Sequence, residues 1–219
     1  MVRRRQSQHV PPSGATIDRE SLARSELYSE ALGIDLKAGG EDACFRWFLA
    51  SQLYGGCISG AIAEKTYRSF ERHGLLTPEK IISAGWDFLV NPVMREGGYV
   101  RYDESKSRQL LRNCQKLLDE YGGRVSRIVF EAADSAKLEG RLCAFHGIGP
   151  VTANIFLREL RPFWRKANPA PLPVVVKTAK ALGIDLSSID RKSLEFARVE
   201  AGLIRLAHLK HQVVKGTAK

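Results

Sequence analysis

Apolar residues along most of this chain recur at three- and four-residue intervals, the spacing that places them on one face of an α-helix. In CFRWFLASQLYGG, Phe45, Phe48, Leu49 and Leu53 share such a face. SGAIAEKTYRSFERHG aligns Ile62, Thr66, Phe70 and His73, with Gly74 as the stop. TPEKIISAGWDFLV opens on Thr77 as N-cap and Pro78 at the first helical position, where a missing N–H has no partner to lose. DESKSRQLLRNCQKLLDEYGG predicts a long amphipathic helix closed by Gly122 and Gly123. SRIVFEAADSAKLEGRLCAF predicts one or two short helices. GPVTANIFLRELRPF, PVVVKTAKALGI and SLEFARVEAGLIRLAHLKHQVV complete the set. The triplet Val174–Val176 has strand propensity, but no nearby segment offers it a partner. The pattern predicts an all-α fold of about eight to ten helices with short connections.

Two stretches break the pattern. Residues 1–15 are basic and rich in Gln, Ser, Pro and Gly, which predicts a flexible arm. RPFWRKANPAPLP holds Pro162, Pro169, Pro171 and Pro173, which forbid one continuous helix and join two packed units. The chain has 219 residues, 44% of them hydrophobic, enough to fill a core. No apolar run is long enough to span a membrane, and no apolar segment follows the basic N-terminus. The expectation is a soluble cytoplasmic monomer, nucleoid-associated if the source is prokaryotic. Cys44, Cys57, Cys114 and Cys143 are too scattered to encode a zinc or iron–sulfur loop and read as reduced thiols.

The formal net charge is +10, with Lys and Arg spread along the chain, a balance that favours a polyanionic partner. The segment best suited to one is LCAFHGIGPVTANIFLREL. A helix ends near Phe145, Gly147 and Gly149 turn the chain, and Pro150 starts the next helix. The unpaired N–H groups and positive dipole end of that helix make an anion site, one that fits a phosphodiester without reading sequence.

This segment resembles the helix-hairpin-helix motif of the DNA glycosylase superfamily that includes endonuclease III and oxoguanine glycosylase. FLASQLYGG is similar to the family segment that ends a helix with a Gln, here Gln52. GGYVRYDESKSRQLLRNCQKLLDEYGGRV and PLPVVVKTAKALGI resemble two further family segments, so the likeness runs from about Phe45 to Ile184. It implies a six-helix barrel (residues 43–160) and a second helical domain built from residues 16–42 and 161–219, with a cleft between them for duplex DNA. It also implies flipping of a damaged base and cleavage of its N-glycosidic bond, with or without abasic-site lyase activity. The amides of Gly147, Gly149 and Val151, with Ile148 and Thr152 beside them, would hold a phosphate. The carbonyls of Cys143, Phe145 and Ile148 would ligate a structural K⁺ or Na⁺, and no other cofactor is implied. Gln52 would fill the gap left by the flipped base. From the residues alone, Tyr54 close to it is a candidate to stack on an extruded base, though such a tyrosine more often packs in the core with its hydroxyl outward.

The sequence departs from the family at its two chemical positions. The hairpin lysine of the lyase members is Val151 here, and the carboxylate that precedes the following helix is Val175. The family's iron–sulfur loop has no counterpart, because no cysteine follows Cys143. Three readings stay open. Glu159 or Asp185 replaces the carboxylate from elsewhere; Lys177 serves as an amine nucleophile; or the protein binds DNA without cutting it. Trp164, in the proline-rich loop, is a pocket-lining candidate. His208 and His211 share a helix face but have no third ligand, and they read as surface residues.

Overall fold

A computed structural model describes residues 17–216, with the side chains of residues 17–209. It is helical throughout, with no strand among the described residues. The flexible arm expected for residues 1–15 lies outside them. Among the described residues nine helices have seven or more residues: α3 (Glu41–Tyr54), α4 (Gly60–Arg72), α5 (Pro78–Phe88), α7 (Asp103–Tyr121), α8 (Val125–Glu131), α9 (Ser135–Cys143), α10 (Pro150–Arg158), α11 (Pro173–Ala181) and α12 (Leu194–Gly216). Shorter turns make up α1 (Arg19–Ala23), α2 (Tyr28–Ala31) and α6 (Arg95–Gly97).

Local chemistry sets several of these boundaries. Thr77 accepts a hydrogen bond from the Lys80 amide and Pro78 begins α5, as the sequence predicts. Helix α7 ends where Gly122 turns left-handed, and the Gly123 amide reaches back to the Leu117 carbonyl at 2.9 Å. One expectation needs correction. TPEKIISAGWDFLV is not one regular helix, because Gly85 adopts φ +76° and the chain continues as a π-helical stretch over Leu89–Met94. The valine triplet, despite its strand propensity, is helical as the all-α pattern predicts, in the first turn of α11 started by Pro173 at N1.

The buried apolar residues separate into distinct clusters. The largest gathers side chains between Leu32 and Ala167, with Trp47, Phe48, Tyr67, Phe70, Phe145 and Phe156 among its bulkiest members. A second joins Leu22 near one end of the chain to Val175, Ala179, Ile189, Phe196, Val199, Leu203 and Ile204 near the other. Helix α12 comes so close to α1 that a Cβ at Gly202 would lie 2.5 Å from Ser25 Oγ and 2.6 Å from the Leu22 side chain, so a larger residue there would have to displace both.

The end of α10 fastens the clusters together. Glu159, fully buried, accepts the amides of Tyr28 and Ser29 at 2.9 Å each and so caps the start of α2. Arg161, also buried, donates to Glu200 of α12 and to the Pro169 carbonyl at 2.6 Å. One guanidinium thus pins the proline-rich loop onto the last helix. Breaking a buried pair from one side strands a charge. Arg161→Met is therefore expected to lower the unfolding free energy by about 3–5 kcal/mol in urea titration. A loss below about 1 kcal/mol would show that Glu200 finds solvent or another donor.

Candidate nucleic-acid interface

The hairpin between α9 and α10 has little internal bonding, so its shape depends on what it rests against. Gly147 sits at φ +66°, in the left-handed region open to glycine. Gly149 is extended at φ −97° and ψ −179°, and serves as N-cap of α10 with no side-chain cap bond and no acidic residue in the first turn. Pro150 follows at N1. The first amides of α10 therefore lack a side-chain partner, and the positive end of the helix carries no compensating charge.

The hairpin rests on α7. Asn113, 1% exposed, clasps the backbone of His146: its Oδ1 accepts the His146 amide at 2.8 Å and its Nδ2 donates to the His146 carbonyl at 3.0 Å. The same Nδ2 donates to Gln52 Oε1 at 2.7 Å. One turn earlier on α7, Gln109 lies flat against Gly147, where a Cβ would come within 2.8 Å of its amide carbon. One turn earlier again, Lys106 donates to Gln109 Oε1 at 2.8 Å and to the Gln52 carbonyl at 3.0 Å. Lys116 closes the row, its ammonium 5.6 Å from the centre of the Phe145 ring. These four side chains recur at three- and four-residue steps and form one polar stripe under the hairpin.

Neighbouring segments extend this corner. Thr152 packs so tightly on Gly55, at the end of α3, that a Cβ there would clash at 2.1 Å. A Cβ at Gly56 would meet the Tyr99 hydroxyl at 2.3 Å. The hairpin, the turn after α3 and the loop before α7 are thus contiguous. His146, Val151, Cys57, Val100 and Tyr102 are exposed along them.

The residues singled out from sequence fare differently. Gly147, Ile148, Gly149, Val151 and Thr152 lie in the turn and the first turn of α10, with Val151 55% exposed and Ile148 and Thr152 turned inward. Gln52 adjoins them but is only 3% exposed and points into the protein, held by Asn113 and by the Phe48 carbonyl at 3.2 Å. Tyr54 packs edge-on against Tyr28 at 5.3 Å, and burial pushes its hydroxyl pKa up. Trp164 stacks edge-on against Phe156 and lines a shallow depression with Arg124, Arg127 and Phe130. That depression adjoins the opposite end of α3, where Glu41 accepts from Ser126.

The candidate chemical groups do not converge on the hairpin. Burial pushes the Glu159 carboxyl above its usual range, and its two oxygens are taken by α2. Asp185 caps the 3₁₀ turn Leu186–Ser188, and Ser187 holds its carboxyl below the usual range. Lys177 is exposed on α11, while Val175 is fully buried in the second cluster. Of the three carbonyls implied for a cation, that of Phe145 already accepts the Ile148 amide at 3.1 Å, which leaves it one lone pair for an ion. His208 is exposed; the His211 side chain lies outside the described residues.

Lys106 escaped the sequence reading because a lysine near the start of an amphipathic helix ordinarily faces water. The available signal was its helical register with Gln109 and Asn113. It is 8% exposed, and burial draws its amine down from 10.5 to about 8. No protein-family model, curated protein or solved structure matches the chain.

Two outcomes follow from this arrangement. Asn113→Ala is expected to cost about 1–3 kcal/mol, because it strands buried groups of Gln52 and His146. Amide exchange at His146 should quicken well beyond that of the α7 amides; equal protection would mean the clasp is dispensable. The second concerns pH. Between the lowered amine pKa of about 8 and the ordinary 10.5, the unfolded chain holds a proton on Lys106 that the folded chain has released. The penalty of burying the ammonium, full below about pH 8, is thus relieved as pH rises towards 10.5. The unfolding free energy of the wild type relative to Lys106→Met should increase over that window. A flat difference would mean the ammonium stays solvated.

Proposed function

We propose that this protein binds duplex DNA as base-excision glycosylases do, engaging a damaged or modified site through the α9–α10 hairpin. The observation that carries this reading is the uncapped start of α10, presented behind Gly147–Gly149 and clamped from behind by Asn113. A helix start without a cap or a nearby carboxylate attracts phosphate, and a clamped loop loses little entropy on binding one. The net charge of +10 supports the same reading. A K⁺ or Na⁺ on the carbonyls of Cys143, Phe145 and Ile148 would add positive charge to the same loop. The cleft would lie between the barrel and the second helical domain. Exposed Val100, Tyr102 and Val151 are the groups on this corner open to bases, since Gln52 would first have to leave Asn113.

A specific observation favours recognition without base release. Glu159 and Asp185 serve as caps, and the two positions at which the family keeps its chemical groups are Val151 and Val175. The alternatives separate on duplexes carrying uracil, oxidised guanine, alkylated adenine or an abasic site. Base release abolished by Glu159→Gln, Asp185→Asn or Lys177→Ala would assign chemistry to that residue. Binding without release of any base would assign recognition alone.

The hairpin has a test in which stability and function move in opposite directions. No atom lies within 4 Å of a Cβ placed at Gly149, so a side chain there leaves the protein undisturbed. Aspartate is a strong N-cap, so Gly149→Asp should hold or raise the melting temperature while placing a carboxylate where phosphate would sit. Duplex affinity is expected to fall by about tenfold or more. The wild-type affinity should drop steeply with added salt. Unchanged affinity in Gly149→Asp, or binding insensitive to salt, would remove the hairpin from the interface.

A further inference from the structure

The polar stripe of α7 contains one group left unsatisfied. Asn113 uses both ends of its amide, whereas Gln109 Nε2 is buried without a hydrogen-bond partner. Its orientation is fixed by chemistry. An ammonium only donates, so the Gln109 atom facing Lys106 at 2.8 Å is the oxygen, and Nε2 must face away. The amide lies face-on against Gly147, its carbon 2.8 Å and both Nε2 and Oε1 3.0 Å from the point a Cβ would occupy, and glycine leaves no side chain between it and the loop. Gln109 is 9% exposed. Lys106 behind it makes no ion pair with a carboxylate among the described residues; both of its acceptors are neutral. A buried ammonium and a buried, unpaired N–H thus stand behind a helix start that is itself unpaired. Burying an ammonium without a counter-charge and an N–H without an acceptor costs free energy, and the field of an anion on the far side of the loop offsets it.

We propose that Lys106 and Gln109 complete an anion site at the α9–α10 hairpin from below, supplying the positive field that holds a phosphate group over Gly147–Thr152. The proposal rests on the reading of the hairpin as a phosphate-binding element and adds the side chains that charge it. Gln109 Nε2 is out of contact with solvent, so it acts across the glycine backbone rather than by touching the ligand. In that dry, low-dielectric layer a fixed dipole and a fixed charge act more strongly than the same groups on the surface. Gln109 is in this sense a positioning residue for the loop and a source of field. Lys106 sets its orientation.

Gln109→Glu tests this with a side chain of nearly the same shape. The carboxylate keeps the contact with Lys106 and strengthens it, yet cancels the ammonium and lays a negative group against Gly147. Melting temperature should be retained, while duplex affinity at low salt falls by about tenfold. The amide shifts of Gly147–Thr152 on titration with inorganic phosphate should vanish. Gln109→Met, which is apolar and cannot donate, should weaken both responses in the same direction, and it replaces Gln109→Glu if that variant does not fold. Gln115→Glu, on the exposed side of the same helix, controls for net charge and should bind as the wild type does. Loss of both responses identifies the ligand as a DNA phosphodiester. Loss of the phosphate response, in a protein that never binds duplex, identifies a free phosphate-like anion and sinks the DNA reading alone. If Gln109→Glu binds phosphate and duplex as the wild type does while Gly149→Asp does not, the hairpin reading stands and this proposal is overturned.

Discussion

The hydrogen bonds from Asn113 to the backbone of His146 are the constraint on which the rest of this corner depends. A turn with glycines at 147 and 149 has too many accessible conformations to hold a shape alone. Its shape is borrowed from α7, a long regular helix whose register cannot slip without breaking its own core contacts. One side-chain amide binds both the N–H and the C=O of a single residue, which fixes the position and the tilt of the loop together. Gln52 enters the same network and ties it to α3. Such networks are cooperative, since each bond orients the donor or acceptor of the next, and loss of one partner leaves the others buried and unpaired.

The same economy explains why the polar groups near the hairpin lead inward. Helix α10 begins at the turn and ends at the junction between the large apolar cluster and the one built from both ends of the chain. The residues just past its end, Glu159 and Arg161, are spent on that junction, one on the amides of α2 and the other on Glu200. A carboxylate that must stay buried to cap α2 is not available to a ligand at the opposite end of its own helix. The 9-residue length of α10, about 13 Å at 1.5 Å per residue, separates the two duties. On the proposed reading, gripping a phosphate is built into one end of this helix and assembling the fold into the other.

Features that follow from local rules were legible in the sequence. The face of Phe45, Phe48, Leu49 and Leu53 is buried, and the Thr77–Pro78 start and the Gly122–Gly123 stop fall where propensity and capping put them. What escaped was set by contacts between segments distant in sequence. Gly85 looks like any glycine inside a helical pattern, yet it takes φ +76° and breaks the helix there. Gln52 sits at a helix end, where a polar side chain usually meets water, and its burial follows only from the approach of Asn113, 61 residues away. Lys106 was hidden in the same way. Its stem extends along the helix pattern as a solvated residue would, and only the closeness of Gln109 and the Gln52 carbonyl makes it a buried charge. Periodicity assigns a face to each residue, but it does not say which neighbour that face will meet.

On the proposed reading, the two valines mark where this chain departs from the glycosylase pattern, and the fold treats them differently. Val151 is exposed, and a lysine there would be accommodated at the surface of the hairpin. Val175 differs, because it is fully buried among Leu22, Ala179, Phe196 and Leu203. A carboxylate in that setting would lack both water and a partner, and its pKa would rise until it stayed protonated. A protonated, buried acid stabilises no positive charge on a sugar. Restoring the pattern at this position would therefore require the first turn of α11 to rotate, which in turn would withdraw Val175 from the cluster that holds α1, α11 and α12 together. The apolar choice at this position belongs to the packing of that cluster, which, on the proposed reading, favours recognition over cleavage.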